Sequence, residues 1–170
     1  MKTRNTVMSG VLLAVALYLP FFTGQIPQIG AMLSPMHIPV LLCGFLCGAP
    51  YGLAIGAVAP ILRFALFGLP PIYPTGLAMV FELATYGACC GLLYQLFPKK
   101  PSYTYVTLII SMFIGRVVWG ISMYFLTVNF SMDLFLAGAF IKAIPGIILH
   151  VVIIPPIVFV LQKKGLIFNG

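Results

Sequence analysis

YTYVTLIISMFIGRVVWGISMYFLT, residues 103–127, holds one charged side chain, Arg116, in an otherwise apolar and weakly polar run. At a rise of about 1.5 Å per residue, such a helix outreaches a hydrocarbon core roughly 30 Å thick. It reads as a transmembrane span. Working outward, comparable runs cover residues 5–24, 51–67, 75–97 and 134–161, and a shorter, proline-broken one covers 35–48. Pro60 falls inside the third span, and Pro145 and the Pro155-Pro156 pair are expected to kink the last. Composition agrees: 62% of the 170 residues are hydrophobic and only 6% charged, with a mean hydropathy of +1.15. Soluble domains carry about a quarter charged residues, so this chain must face lipid. The expected fold is all-α: one domain, residues 1–170, an integral membrane bundle of six transmembrane helices. The basic start of the first run lacks a signal-peptide cleavage site, since Leu19-Pro20-Phe21-Phe22 stands there, and it is read as a retained span.

The net charge of +7 does not indicate nucleic acid, because the basic residues flank the spans instead of lining a wettable face. Lys2 and Arg4, Lys99 and Lys100, and Lys163 and Lys164 fall on one side if the chain starts inside. The opposite loops, 25–34, 68–74 and 128–133, contain no Lys or Arg. The positive-inside rule therefore places both termini in the cytoplasm.

Four ionisable residues remain within the spans: Arg63, Glu82, Arg116 and Lys142. An Arg, Lys or Asp at a helix centre costs about 2.5 to 3.5 kcal/mol to insert, so such residues normally face the protein interior. Counted from the outer ends, Arg63 lies roughly 6 Å deep, Glu82 roughly 10 Å, Lys142 roughly 12 Å and Arg116 roughly 16 Å. All four thus fall in the outer half, and an outward-facing polar cavity follows. Glu82 neutralises one cation, Arg63 or Arg116, and the surplus positive charge asks for a small carboxylate-bearing ligand. The plainer reading is a structural pair, with Lys142 or Arg63 snorkelling to the interface.

Tyr86 and Trp119 follow Glu82 and Arg116 by one helical turn and are candidates to line a pocket. Asn129 and Asp133 lie at the outer mouth, where Asn129 is a candidate ligand contact. His37 is expected in a capping or loop contact, and His150 as a satisfied histidine deep in the last span, with a proton relay as its alternative. The uncharged segment 25–33 is either a lid on the outer mouth or a rigid connector. Cys43, Cys47, Cys89 and Cys90 lie in apolar runs and read as packing residues, with no metal site. The chain has no phosphate-binding glycine loop and no acid/base set, so it is not expected to be an enzyme or to hold a cofactor. Ser9, Gly10 and Ala14 form a candidate partner surface on the first span, whereas Gly44, Gly48, Gly52 and Gly56 are assigned to packing within the chain.

The stretches Met36-His37-Ile38-Pro39-Val40-Leu41-Leu42-Cys43-Gly44-Phe45, Tyr51-Gly52-Leu53-Ala54-Ile55-Gly56, Pro60-Ile61-Leu62-Arg63, Phe81-Glu82-Leu83-Ala84-Thr85-Tyr86-Gly87 and Gly115-Arg116-Val117-Val118-Trp119-Gly120, with the size and topology, resemble substrate-binding S components of energy-coupling factor (ECF) vitamin transporters. The resemblance covers nearly the whole chain. It implies a prokaryotic plasma-membrane protein that binds a small vitamin from outside and assembles with a transmembrane coupling subunit and two cytoplasmic ATPases. Gly10-xxx-Ala14 stands where the family has Ala-xxx-Ala. Within the family the chain looks most like the pantothenate-type branch, and pantothenate, a small anion with hydroxyl and amide groups, suits the surplus cations. Pyridoxine-type vitamins and folate are the alternatives. A self-sufficient secondary transporter is the competing class; it requires a polar route through the inner half, where the sequence offers only His150.

Overall fold

The computed structural model describes residues 2–23, 32–127, 131, 143–165 and 167. Six α-helices are described: α1 (Lys2–Tyr18), α2 (His37–Cys47), α3 (Ala49–Phe67), α4 (Leu77–Leu96), α5 (Pro101–Leu126) and α6 (Ile144–Lys163). Short helical turns at Leu19–Thr23 and Ile72–Gly76 extend α1 and lead into α4. The described residues form a membrane helical bundle, as the composition requires. Large apolar side chains such as Phe22, Leu66, Phe81, Leu96, Phe113, Phe125 and Val152 point outward. Val40, Leu41, Leu83, Leu108, Ile154 and Val158 fill the interior.

Five helical segments are long and apolar enough to cross a membrane; α2 is not. Its eleven residues reach only about 16 Å at 1.5 Å per residue. Every one of them is buried, so the short second run forms the bundle's inner pillar and has no lipid-facing side. Gly48, at φ 90° and ψ 174°, separates α2 from α3 in a single residue, a conformation open to glycine alone. Pro145 is the second residue of α6, where a missing N–H removes no helical hydrogen bond, so it does not kink the helix. Pro60 and Pro155-Pro156 do lie inside helices. The start expected for the last span, 134–142, lies outside the described residues.

The glycines of spans two and three explain how the bundle closes. A Cβ on Gly52 would meet the Gly87 carbonyl oxygen at 2.5 Å, and one on Gly44 would meet it at 2.6 Å. A Cβ on Gly56 would meet the Leu83 carbonyl oxygen at 2.2 Å. Backbones approach this closely only where side chains are absent, so α4 packs directly on α3 and α2.

Cross-links define two ends. At one, Asn5 donates to the Cys47 carbonyl over 3.4 Å and Gln162 to the Lys99 carbonyl over 3.2 Å, while Phe45 meets Tyr94 edge-on at 5.0 Å. The Lys99 ammonium sits 3.9 Å from the Tyr94 ring and donates to the Tyr94 carbonyl, completing the C-terminal turn of α4. Partial burial there pushes its pKa below the ordinary lysine value. At the other end Arg63 reaches Leu17, Tyr73 donates to the Leu126 carbonyl, and Phe21 meets Phe67. Arg4, Lys99, Lys100, Lys163 and Lys164 therefore share one end of the bundle, as the charge pattern predicts.

Candidate functional site

Four helices bring a polar cluster together in the outer half of the bundle. Glu82, in the second turn of α4, is 1% exposed and nearly every approach to its carboxylate is occupied. Arg116 of α5 places Nη1 3.1 Å from Oε1, and the Tyr86 hydroxyl donates to the same oxygen over 3.0 Å. His37, the first residue of α2, sets Nε2 3.6 Å from Oε2, beyond hydrogen-bond reach but within electrostatic contact. His150 of α6 lies on the His37 ring with centroids 6.0 Å apart and planes at 23°.

Each side chain is held by a local device. Tyr86 can lie against α5 because residue 115 is glycine: a Cβ there would sit 2.2 Å from the ring. The Tyr86 ring in turn approaches His37, with centroids 5.3 Å apart. Ser34 adopts φ 46°, a left-handed conformation uncommon outside glycine. Its carbonyl accepts from the His37 backbone N–H over 3.0 Å and from His150 Nε2 over 3.3 Å. One carbonyl thus ties the start of α2 to α6. Gly146 permits this, since a Cβ on it would meet the Met32 carbonyl oxygen at 2.5 Å.

The four intramembrane charges separate. Glu82 pairs with Arg116. Arg63, 4% exposed, turns instead to the end of α1, donating from Nη1 to the Leu17 carbonyl over 2.6 Å. Its guanidinium also rests 5.4 and 5.5 Å from the Phe21 and Phe67 rings. A cation at the carbonyl end of a helix satisfies both a free acceptor and the helix dipole. Trp119 is half-buried on α5. Lys142 and Asn129, with Asp133 and residues 25–31 of the candidate lid 25–33, lie outside the described residues.

His37 and His150 depart from expectation. His37, expected in a capping or loop contact, and His150, the one residue offered for an inner-half route, are 3% and 2% exposed and belong to the Glu82 cluster. The described α6 begins at Ile144, which puts His150 about 9 Å from that end at 1.5 Å per residue, in the outer half. The inner half carries a polar feature of another kind. The hydroxyls of Tyr94, Thr104, Thr107 and Ser111 are buried without a hydrogen-bond partner among the described residues. Weak helix-tolerated polarity of this sort gives no sequence signal.

On α1, Ser9 is buried and donates to the Thr6 carbonyl over 2.8 Å, whereas Gly10 and Ala14 are exposed. The expected three-residue face therefore divides: Ser9 points into the bundle, and Gly10 and Ala14 share the outward stripe with Val7 and Val11.

A family model described as ECF transporter, substrate-specific component, matches residues 4–158. The chain belongs to that family. As a substrate-specific component it is a multi-pass membrane protein and a binding subunit of a transporter, not an enzyme. Comparison with curated proteins and with solved structures finds no match.

Proposed function

We propose that this S component binds a small water-soluble vitamin in the outer half of the bundle, pantothenate being the favoured substrate, and delivers it through a transmembrane coupling subunit driven by two cytoplasmic ATPases in a prokaryotic plasma membrane. The observation that carries the reading is the buried cluster of Glu82, Arg116, Tyr86, His37 and His150. Polar groups collected at membrane depth by four helices mark a binding site. The charge count differs from the simple surplus of cations. Arg116 is balanced by Glu82 and Arg63 by the end of α1, which leaves Lys142 as the cation proposed for a ligand carboxylate. The hydroxyl and amide groups then fall to the cluster. Pyridoxine-type vitamins suit the same polar atoms, and folate has the carboxylates but a larger body. Mass spectrometry of the small molecule released from purified, denatured protein tests the proposal. Recovery of pantothenate supports it, and recovery of a lipid or of no vitamin refutes it. Co-purification with a coupling subunit and ATPases tests the assembly separately.

A further inference from the structure

We infer that His37 and His150 together form a hydrogen-bond-accepting subsite that takes a neutral O–H or N–H group of the ligand, with the Arg116 Nε–H as a neighbouring donor. The inference rests on the binding role proposed above and specifies which part of a ligand the cluster receives.

His150 Nε2 lies 3.3 Å from the Ser34 carbonyl oxygen. A carbonyl only accepts, so the ring proton sits on Nε2 and Nδ1 of the neutral ring is a bare acceptor. His37 Nε2 faces the Glu82 carboxylate at 3.6 Å. An ionised carboxylate also only accepts, and although 3.6 Å is too long for a hydrogen bond, its field draws the proton of a neutral His37 ring to Nε2 and leaves Nδ1 bare. Both Nδ1 atoms are buried with no hydrogen-bond partner among the described residues, and so are His37 Nε2 and Arg116 Nε. The two rings stack with centroids 6.0 Å apart. Two acceptors and two donors are thus left unpartnered on buried residues around Glu82, where an unmade hydrogen bond is costly.

Charge narrows the choice. Around the imidazoles stand Glu82 and Tyr86 of α4 and Arg116 of α5, with Arg63 committed to α1. The Arg116–Glu82 pair is neutral as a unit. A ligand carboxylate placed here would set its oxygens against two bare nitrogens and would have to draw protons onto the rings. A hydroxyl, amide or amine N–H satisfies them directly and leaves the Arg116–Glu82 pair intact.

The chain contains two histidines, so selective 15N labelling of histidine, in protein carrying no histidine tag, reports on this pair alone. The expected spectrum at near-neutral pH shows two neutral rings, both protonated at Nε2. A ring protonated at Nδ1, or a charged ring, overturns the inference. Pantothenate and pantothenol, which carries a hydroxymethyl group in place of the carboxylate, are then added in turn. Both are expected to move the two Nδ1 resonances towards hydrogen-bonded values while the rings stay neutral. A shift with pantothenate alone, accompanied by ring protonation, places the carboxylate at the imidazoles and refutes the subsite. If neither compound binds, the choice of vitamin fails, and the tautomers measured in the ligand-free protein still decide the present inference.

Discussion

Arg116 illustrates how one side chain's surroundings change the expected phenotype. Its guanidinium is the main partner of a carboxylate that is 1% exposed. Arg116→Ala is therefore expected to destabilise the bundle by about 3–5 kcal/mol, because it strands a buried charge. Thermal unfolding in detergent measures this, and Arg116→Met combined with Glu82→Met should recover most of the loss. If the single variant unfolds like the parent, the pair does not bear on stability. Arg63 has a separate task. Arg63→Ala should cost about 1.5–3 kcal/mol, the range for hydrogen bonds to charged groups, and leave ligand affinity unchanged. A parallel loss of affinity would put Arg63 in the site after all. Before folding, these two arginines were indistinguishable candidates for Glu82, since both lie in the outer halves of neighbouring spans. Nothing in residues 60–67 announces that Leu17 is the acceptor.

Among the elements, α3 and α4 depend on the absence of side chains, and α1 does not. Gly52→Ala puts a Cβ 2.5 Å from the Gly87 carbonyl oxygen. Such overpacking typically costs about 1–3 kcal/mol, visible as a lowered melting temperature. Gly10→Leu is expected to leave the melting temperature unchanged, because among the described residues no atom lies within 4 Å of a Cβ there. If Gly10 and Ala14 contact a coupling subunit, the same variant should reduce co-purification with that subunit, and undiminished recovery would remove α1 from the interface. Both small-residue patterns look alike as sequence. Only the packing shows that one is filled from within the chain while the other remains uncovered.

For the molecule as a whole, orientation is open to direct test. The basic clusters gather at one end, and Arg63, Tyr73 and Phe21 lie at the other. In intact cells, Lys100→Cys should resist a membrane-impermeant thiol reagent and Gly68→Cys should react with it. The reverse pattern would invert the topology. Of the native cysteines, Cys43, Cys47 and Cys90 are buried and Cys89 is half-buried, which keeps the background low.

The bundle, its spans and the sidedness of its charges were legible in the linear chain, because each depends on local quantities: the length of an apolar run and the position of Lys and Arg beside it. The α2 pillar was legible as a short run, but its complete burial was not. The composition of the cluster was only half legible. Glu82, Tyr86 and Arg116 were marked by the cost of charge in a membrane and by helical spacing. His37 and His150 were visible as a capping or loop contact and as an interior histidine, but nothing along the chain joins either of them to Glu82. They meet because Ser34 bends the chain over Gly146 and one carbonyl binds both α2 and α6. The tertiary structure alone decided which cation pairs with Glu82 and which atoms find no partner among the described residues, since partner choice depends on distances between helices that no spacing along one helix encodes.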